Sequence, residues 1–434
     1  MAYYEIDGGK PLRGTVQLSG AKNLASKLIL ASLLSSETCT LTNIPTIGET
    51  DIALQLIEAV GATTTRSGNQ LTIHAAAISA KNLLDLPAKS RLSILMIGPL
   101  LFRTGSAMVP PVTGDQIGKR PVGFHLDALR ALGVQIHQTS EGFQATINAQ
   151  LQGCEITLPY PSVGATETII YTASWANGTT ILNNAAIEPE ILALIQYLNA
   201  MGAQITVNTS ARQITLQGVK SFHKAEQRVI TDRLEAVSYA SVALATEGDI
   251  FLKDADVNDL TAYLSFINSI GADVQIKPNG IRVAYSKPLK AASFETSVHP
   301  GFMADWQQPS VVVLCKATGI STVHETVYED RLRYTSDLIR MGANIEISTE
   351  CLGDPCRFHN QGFRHSARIT GPTNFQPTKL VIPDIRAGMA HVIAALVAPG
   401  LSQLTNIEHL DRGYERLQEK LTSVGANIRR VEEE

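Results

Sequence analysis

The sequence predicts an α/β chain of two domains, each assembled from three copies of one structural unit. Three observations carry this: the length of 434 residues, a short phrase that recurs six times, and the same helix-then-strand context around every recurrence. At roughly 100–200 residues per domain the length alone asks for two or three domains with substantial cores.

The phrase is a hydrophobic residue, glycine and a small residue: Val60-Gly61-Ala62, Leu132-Gly133-Val134, Met201-Gly202-Ala203, Ile270-Gly271-Ala272, Met341-Gly342-Ala343 and Val424-Gly425-Ala426. Successive glycines are 72, 69, 69, 71 and 83 residues apart, a period that marks an internal repeat. Each copy follows an apolar stretch of helical period and precedes an alternating one, as in EILALIQYLNAMGAQITVNT. The glycine therefore reads as a helix C-terminal stop. Several copies continue through a polar turn into a second alternating run, such as TSARQ-ITLQG, which reads as a hairpin.

A second helix-like stretch lies upstream in every unit: AKNLASKLILASLL, SRLSILMIGPLL, GATETIIYTASWA, DRLEAVSYASVALA, ADWQQPSVVVLCKA and IRAGMAHVIAALVA. The unit is thus helix-strand-helix-strand, usually with one more strand. Six such units exceed one core, so residues 22–230 form one expected domain, and 1–21 with 231–434 the other. The sixth unit stops at ANIRRVEEE without its second strand, leaving an edge for the N-terminal run to cover.

Composition narrows the function. Hydrophobic residues make up 44% and charged residues 18%, with a net charge of −4, which excludes a disordered chain and any general basic field for nucleic acid or an anionic membrane. The longest apolar run, residues 92–102, is about half of a membrane span and contains Pro99. The N-terminus lacks the pattern of a signal peptide, so a cytoplasmic location is expected. Five widely spread cysteines are an odd number and argue for reduced thiols. The oligomeric state is left open.

The upstream helices begin near Lys22, Arg91, Gly164, Arg233, Asp305 and Arg386, equivalent places that carry charge or exposed backbone where a structural repeat would carry ordinary caps. Helix N-termini suit phosphate and carboxylate groups, and six converging on one cleft would trap anions. The segment 110–121, PPVTGDQIGKRP, is dense in Pro and Gly and reads as a lid containing Asp115, Lys119 and Arg120. Its GDQIGK stretch is one residue short of a phosphate loop, and Arg120 replaces the needed Ser/Thr. Asp254-Ala-Asp256-Val-Asn258 fails as a calcium loop because Asp259 occupies the Gly position. Cys351, Cys356, His359 and His365 offer zinc-ligand types at an irregular spacing, in a stretch read as a variable insertion, and no metal is expected there. His125 and His409 read as packing or orienting residues.

At Ser19-Gly20-Ala21-Lys22-Asn23 the chain resembles the enolpyruvyl transferases. The likeness covers nearly the whole length: RLSILMIGPL at 91–100, GDQIGKRPVGFH at 114–125, SVGATET at 162–168, AAIEPEI at 185–191, TDRLEA at 231–236, HPGFMADWQQP at 299–309, ETVYEDR at 325–331, DIRAG at 384–388 and DRGYERL at 411–417. It implies two inside-out α/β barrel (prism) domains of three βαβαββ units each. It also implies transfer of the enolpyruvyl group of phosphoenolpyruvate to the 3-hydroxyl of UDP-N-acetylglucosamine with release of phosphate, without cofactor or metal. The branch acting on shikimate 3-phosphate would show Gly-Asn-Ala-Gly-Thr near the second helix; Arg91-Leu-Ser-Ile-Leu-Met stands there instead.

By the same resemblance Lys22, Arg120 and Arg412 hold phosphoenolpyruvate, supported by Arg91 and Arg386. Asn23, Ser162, Val163, Gly164, Asp305 and Val327 line the sugar-nucleotide site, with Asp305 as base and Arg331 closing the cleft. Asp115 stands where many members carry cysteine, in the role of acid toward the methylene carbon; fosfomycin, which alkylates that thiol, is expected to inhibit poorly. Gly123 and Tyr160 replace an acid and a lysine near the nucleotide. Transfer to another nucleotide or to shikimate 3-phosphate, and a catalytically silent paralogue, are the competing readings.

Overall fold

A computed structural model describes residues 2–79, 83–84, 90–112, 121–352 and 356–432. Lys119, Arg120 and Asp115 lie outside the described residues. The described residues divide into two compact units, one within residues 20–112 and 121–230 and one of residues 2–19 with those after 230.

All six repeat glycines have positive φ: Gly61 108°, Gly133 103°, Gly202 101°, Gly271 95°, Gly342 104° and Gly425 99°. A side chain there would strain the backbone, which is why the helix stop is glycine in every copy. The helices that run into them are Gly48–Ala59, Gly123–Ala131, Pro189–Ala200, Thr261–Ser269, Thr335–Arg340 and Leu417–Ser423.

The upstream helices form the interior. In the second unit, Arg233–Ala245 is buried at every position, and Ala304–Lys316 and Ile385–Val397 at nearly every one. A helix that is apolar all round needs partners on all sides, and these three pack on one another. Its hydroxyls are satisfied within the core: Ser238 Oγ donates to the Leu234 carbonyl, and Ser241 Oγ is 2.9 Å from the Tyr263 hydroxyl. In the first unit the corresponding helices are Lys22–Ala31, Ile97–Thr104 and Val163–Ala173; Tyr171 donates its hydroxyl proton to the Lys27 carbonyl and ties two of them together. Each unit has its own apolar core.

Among the described residues, six separate small sheets lie around these helices, three per unit. The βαβαββ units of the enolpyruvyl transferase fold are present; the sheets are open, and no closed barrel joins them among the described residues. In each four-stranded sheet a parallel pair is extended by two antiparallel strands, as where Arg13–Gln17 pairs parallel with Asp249–Lys253, which pairs antiparallel with Gly280–Ala284, and that with Asp273–Lys277. Each compact unit is closed by a parallel pairing between segments far apart in the chain: Glu226–Arg228 with Cys39–Thr42 in the unit of residues 20–230, and Arg13–Gln17 with Asp249–Lys253 in the other.

The N-terminal run differs from its expected place. Ala2–Gly8 lies inside the last sheet, antiparallel to both Gly400–Thr405 and Asn427–Glu432, and the C-terminal strand becomes the edge. An interior position satisfies hydrogen-bonding groups on both sides of the inserted strand, where edge cover would satisfy one. Among the described residues no helix is long and apolar enough to cross a membrane.

Candidate active site

Half of the upstream helices have ordinary caps after all. Asp232 accepts from the N–H groups of Leu234 and Glu235, Asp384 from those of Arg386 and Ala387, and Ser162 from Ala165. Each carboxylate or hydroxyl meets the amides that a helix start leaves unpaired. The helices at Lys22 and Ala304 have no side-chain cap. Arg91 does not begin an α-helix: it sits in a turn ahead of a 3₁₀ segment, Ser93–Met96, and the α-helix starts at Ile97.

In the unit of residues 20–230, Lys22 Nζ lies 4.0 Å from a Glu49 carboxylate oxygen, and Ser90 Oγ donates to the other oxygen at 3.2 Å. Buried Glu49 thus holds Lys22 beside the residue that precedes Arg91. Asn23 follows Lys22 in its helix, Val163 is exposed at the first position of its helix and Gly164 follows. A Cβ on Gly164 would come within 2.9 Å of the His125 ring, so that glycine lets the helix start lie against an imidazole. Gly123 begins the helix that carries His125.

His125 is buried, with Nδ1 2.8 Å from Thr168 Oγ1. Burial, reinforced by the charge of Arg91, pushes its pKa down to about 3. An imidazole with a depressed folded pKa contributes stability that is intact above its unfolded value near 6.5 and lost as the pH falls toward 3. Thermal unfolding followed from pH 7 to pH 4 should therefore show falling stability, and His125→Gln should flatten that dependence; an unchanged slope would remove His125 as its source.

The second unit holds Asp305, Val327, Arg331, Arg386 and Arg412. Asp305 sits in the first turn of the Ala304–Lys316 helix, with Oδ2 3.3 Å from Arg386 Nε and Oδ1 3.6 Å from Arg331. Arg331 also donates to Asp384 at 3.1 Å, and Arg386 to the Tyr414 hydroxyl at 3.2 Å. Burial opposes the charge on Arg331, but Asp384 and Asp305 more than offset it and raise its pKa; against the same burial, Tyr414, Asp305 and Asp232 raise that of Arg386. Both guanidiniums stay charged, which fixes Asp305 in a two-arginine clamp. Arg412 ends the short helix Glu408–Asp411, which carries His409.

Val327 is placed by Glu325, whose Oε1 accepts from the N–H groups of Val327 and Tyr328 and whose Oε2 accepts from Gln307. Burial pushes the Glu325 carboxyl up to about 7, against the Tyr328 and Val327 amides and the charge of Arg331. Glu49, Ser90, Asp232, Asp384, Tyr414 and Glu325 were not singled out from sequence. Asp232 and Asp384 were findable as cap-type residues just ahead of helical runs; Glu49 and Glu325 act through partners distant in the chain.

Fold and site together define a class. The chain belongs to the EPSP synthase (3-phosphoshikimate 1-carboxyvinyltransferase) family, whose signature matches residues 6–421. Within it, the chain is 42% identical to the UDP-N-acetylglucosamine 1-carboxyvinyltransferase of Protochlamydia amoebophila, over 100% of this chain and 95% of the relative. It is 39% identical to the protein of the same name from Zymomonas mobilis, over 98% of this chain and 99% of the relative. Among solved structures, the fold matches the enolpyruvyl transferase NikO from Streptomyces tendae with a TM-score of 0.87 at 24% identity, covering 99% of each chain. It matches EPSP synthase from Acinetobacter baumannii at 0.74 and 18% identity, covering 100% of each chain.

Proposed function

We propose that this chain transfers the enolpyruvyl group of phosphoenolpyruvate to the 3-hydroxyl of UDP-N-acetylglucosamine and releases phosphate, the first committed step of peptidoglycan synthesis, in the cytoplasm. The observation that carries the reading is end-to-end identity of 36–42% with relatives named for that activity. The clamped Asp305 supports it from the geometry.

Two anions have to be brought within bonding distance, so cations that offset their repulsion and fix the attack angle are the main demand on the protein. Lys22, Arg120 and Arg412 hold the phosphate and carboxylate of phosphoenolpyruvate, and Arg91 and Arg386 support them. Asn23, Ser162, Val163, Gly164 and Val327 line the sugar nucleotide. Asp305 takes the proton of the 3-hydroxyl as oxygen attacks, and the Arg331 and Arg386 contacts hold its carboxylate in one orientation. Asp115 delivers a proton to the methylene carbon; the tetrahedral adduct then expels phosphate as a proton leaves the new methyl group, which restores the carbon–carbon double bond.

Phosphate release is the direct test. Release should require phosphoenolpyruvate together with UDP-N-acetylglucosamine, and should stay at background when other nucleotides or shikimate 3-phosphate replace the sugar nucleotide. Release with one of those acceptors and none with UDP-N-acetylglucosamine would reverse the assignment.

A further inference from the structure

The sheet formed by Phe294–Glu295, Gly319–His324, Ser366–Gly371 and Asn344–Ser348 gathers two histidines and two cysteines at one end. His324 closes its strand and pairs across the sheet with Ser366, the residue after His365. Cys351 and Cys356 follow the strand Asn344–Ser348. The sulfur of Cys356 is 3.4 Å from His324 Nε2 and 3.5 Å from His365 Nε2, and that of Cys351 is 3.5 Å from His365 Nε2. Ligand atoms of His324, Cys356 and His365 all lie within 4.8 Å of one another; the Cys351 sulfur lies outside that group and reaches it through His365 Nε2.

We propose that His324, His365 and Cys356 form three corners of a tetrahedral Cys₂His₂ site for a structural zinc ion, with Cys351 swinging in from His365 as the fourth ligand. Sulfur and nitrogen ligands at about 2.3 and 2.0 Å from a tetrahedral zinc are separated by about 3.5 Å, the spacing of all three sulfur–nitrogen contacts. The ring protons are placed as such a site requires. His365 Nδ1 donates to the Phe363 carbonyl at 2.7 Å, and His324 Nδ1 faces the Glu295 carboxylate at 2.7 Å, which leaves both Nε2 lone pairs aimed at the sulfurs. This is the outer shell that orients metal-bound imidazoles.

Hydrogen bonding alone does not satisfy the cluster. With both imidazoles neutral, two thiol protons cannot serve three sulfur–nitrogen contacts, so one set of lone pairs is left facing another. A divalent cation removes the conflict: both thiols lose their protons to solvent, and two thiolates with two neutral imidazoles balance its charge. Thiolate with imidazole selects zinc over magnesium or calcium. The spacing in sequence pointed to His359; the fold supplies His324 instead, from a strand remote in sequence.

The site would clip the 349–365 stretch to the end of its sheet. Arg357, adjacent to Cys356, donates to the Val327 carbonyl at 3.1 Å, so the clip also braces the loop that carries Val327.

The test uses the full reduced chain, stripped by chelator and reloaded with cobalt(II), with metal content measured in parallel on zinc-loaded protein. About one equivalent is expected, with thiolate-to-cobalt charge-transfer absorption, the intense visible bands of tetrahedral cobalt, and displacement by zinc. The Cys351→Ser/Cys356→Ser double variant and His324→Ala should lose this spectrum, and His359→Ala should keep it. Weak octahedral bands, substoichiometric binding to the natural chain, or a full spectrum in the double variant would overturn the proposal. The natural chain decides the matter even if a variant fails to fold, and the measurement is independent of transferase activity.

Discussion

Asp305→Asn should lower kcat by about 10²–10⁴-fold, the usual contribution of a positioned general base, with much smaller changes in KM for either substrate. The amide keeps the shape of the side chain, and its single oxygen can still accept from one of Arg386 and Arg331, which lie 3.3 and 3.6 Å from the two carboxylate oxygens. It cannot take a proton. A loss confined to kcat marks an interaction made in the transition state, whereas a rise in KM alone would mark a binding role. Activity within about threefold of the natural chain would remove Asp305 as the base.

Asp115→Cys should be inactivated by fosfomycin rapidly and stoichiometrically while the natural chain is expected to resist it, with the rate of covalent modification raised on the order of 100-fold or more. The epoxide requires a nucleophile, and a thiol is far the better one. The exchange also changes proton supply. A free Asp with pKa near 3.9 is protonated about one part in a thousand at pH 7, while a thiol near 8.5 is mostly protonated. As the acid toward the methylene carbon, Asp115 should place the activity optimum at lower pH than the cysteine variant. Intact mass with the epoxide and the two pH profiles decide both points. Rapid modification of the natural chain at Asp115, or superimposable profiles, would refute the assignment.

Much of the fold was legible because its signals are local. Six glycines in the left-handed region follow from a helix that must stop and turn, and a turn of that kind excludes side chains at the position itself. The unit of two helices with strands was readable from apolar period for the same reason. The helix starts were less legible: Arg91 precedes a 3₁₀ segment, and aspartates at 232 and 384 cap the helices at Arg233 and Arg386. Charge at a helix start was read as a ligand signal, yet part of it is paid off by neighbouring caps and clamps. Two carboxylates that orient the site, Glu49 and Glu325, gave no such signal, because Lys22 lies 27 residues from Glu49 and Gln307 lies 18 residues from Glu325, each on another element.

By itself the sequence determined the repeat, the type and order of its elements, the family likeness and the chemical types at each helix start, since all of these rest on short-range backbone preference and residue identity. Tertiary structure decided which strands pair and which side chains meet. It put Ala2–Gly8 inside the last sheet, closed two arginines on Asp305 and brought His324 rather than His359 to the cysteines. Such meetings depend on chain segments tens to hundreds of residues apart finding a common hydrogen-bonding or charge partner, and no local pattern encodes that distance.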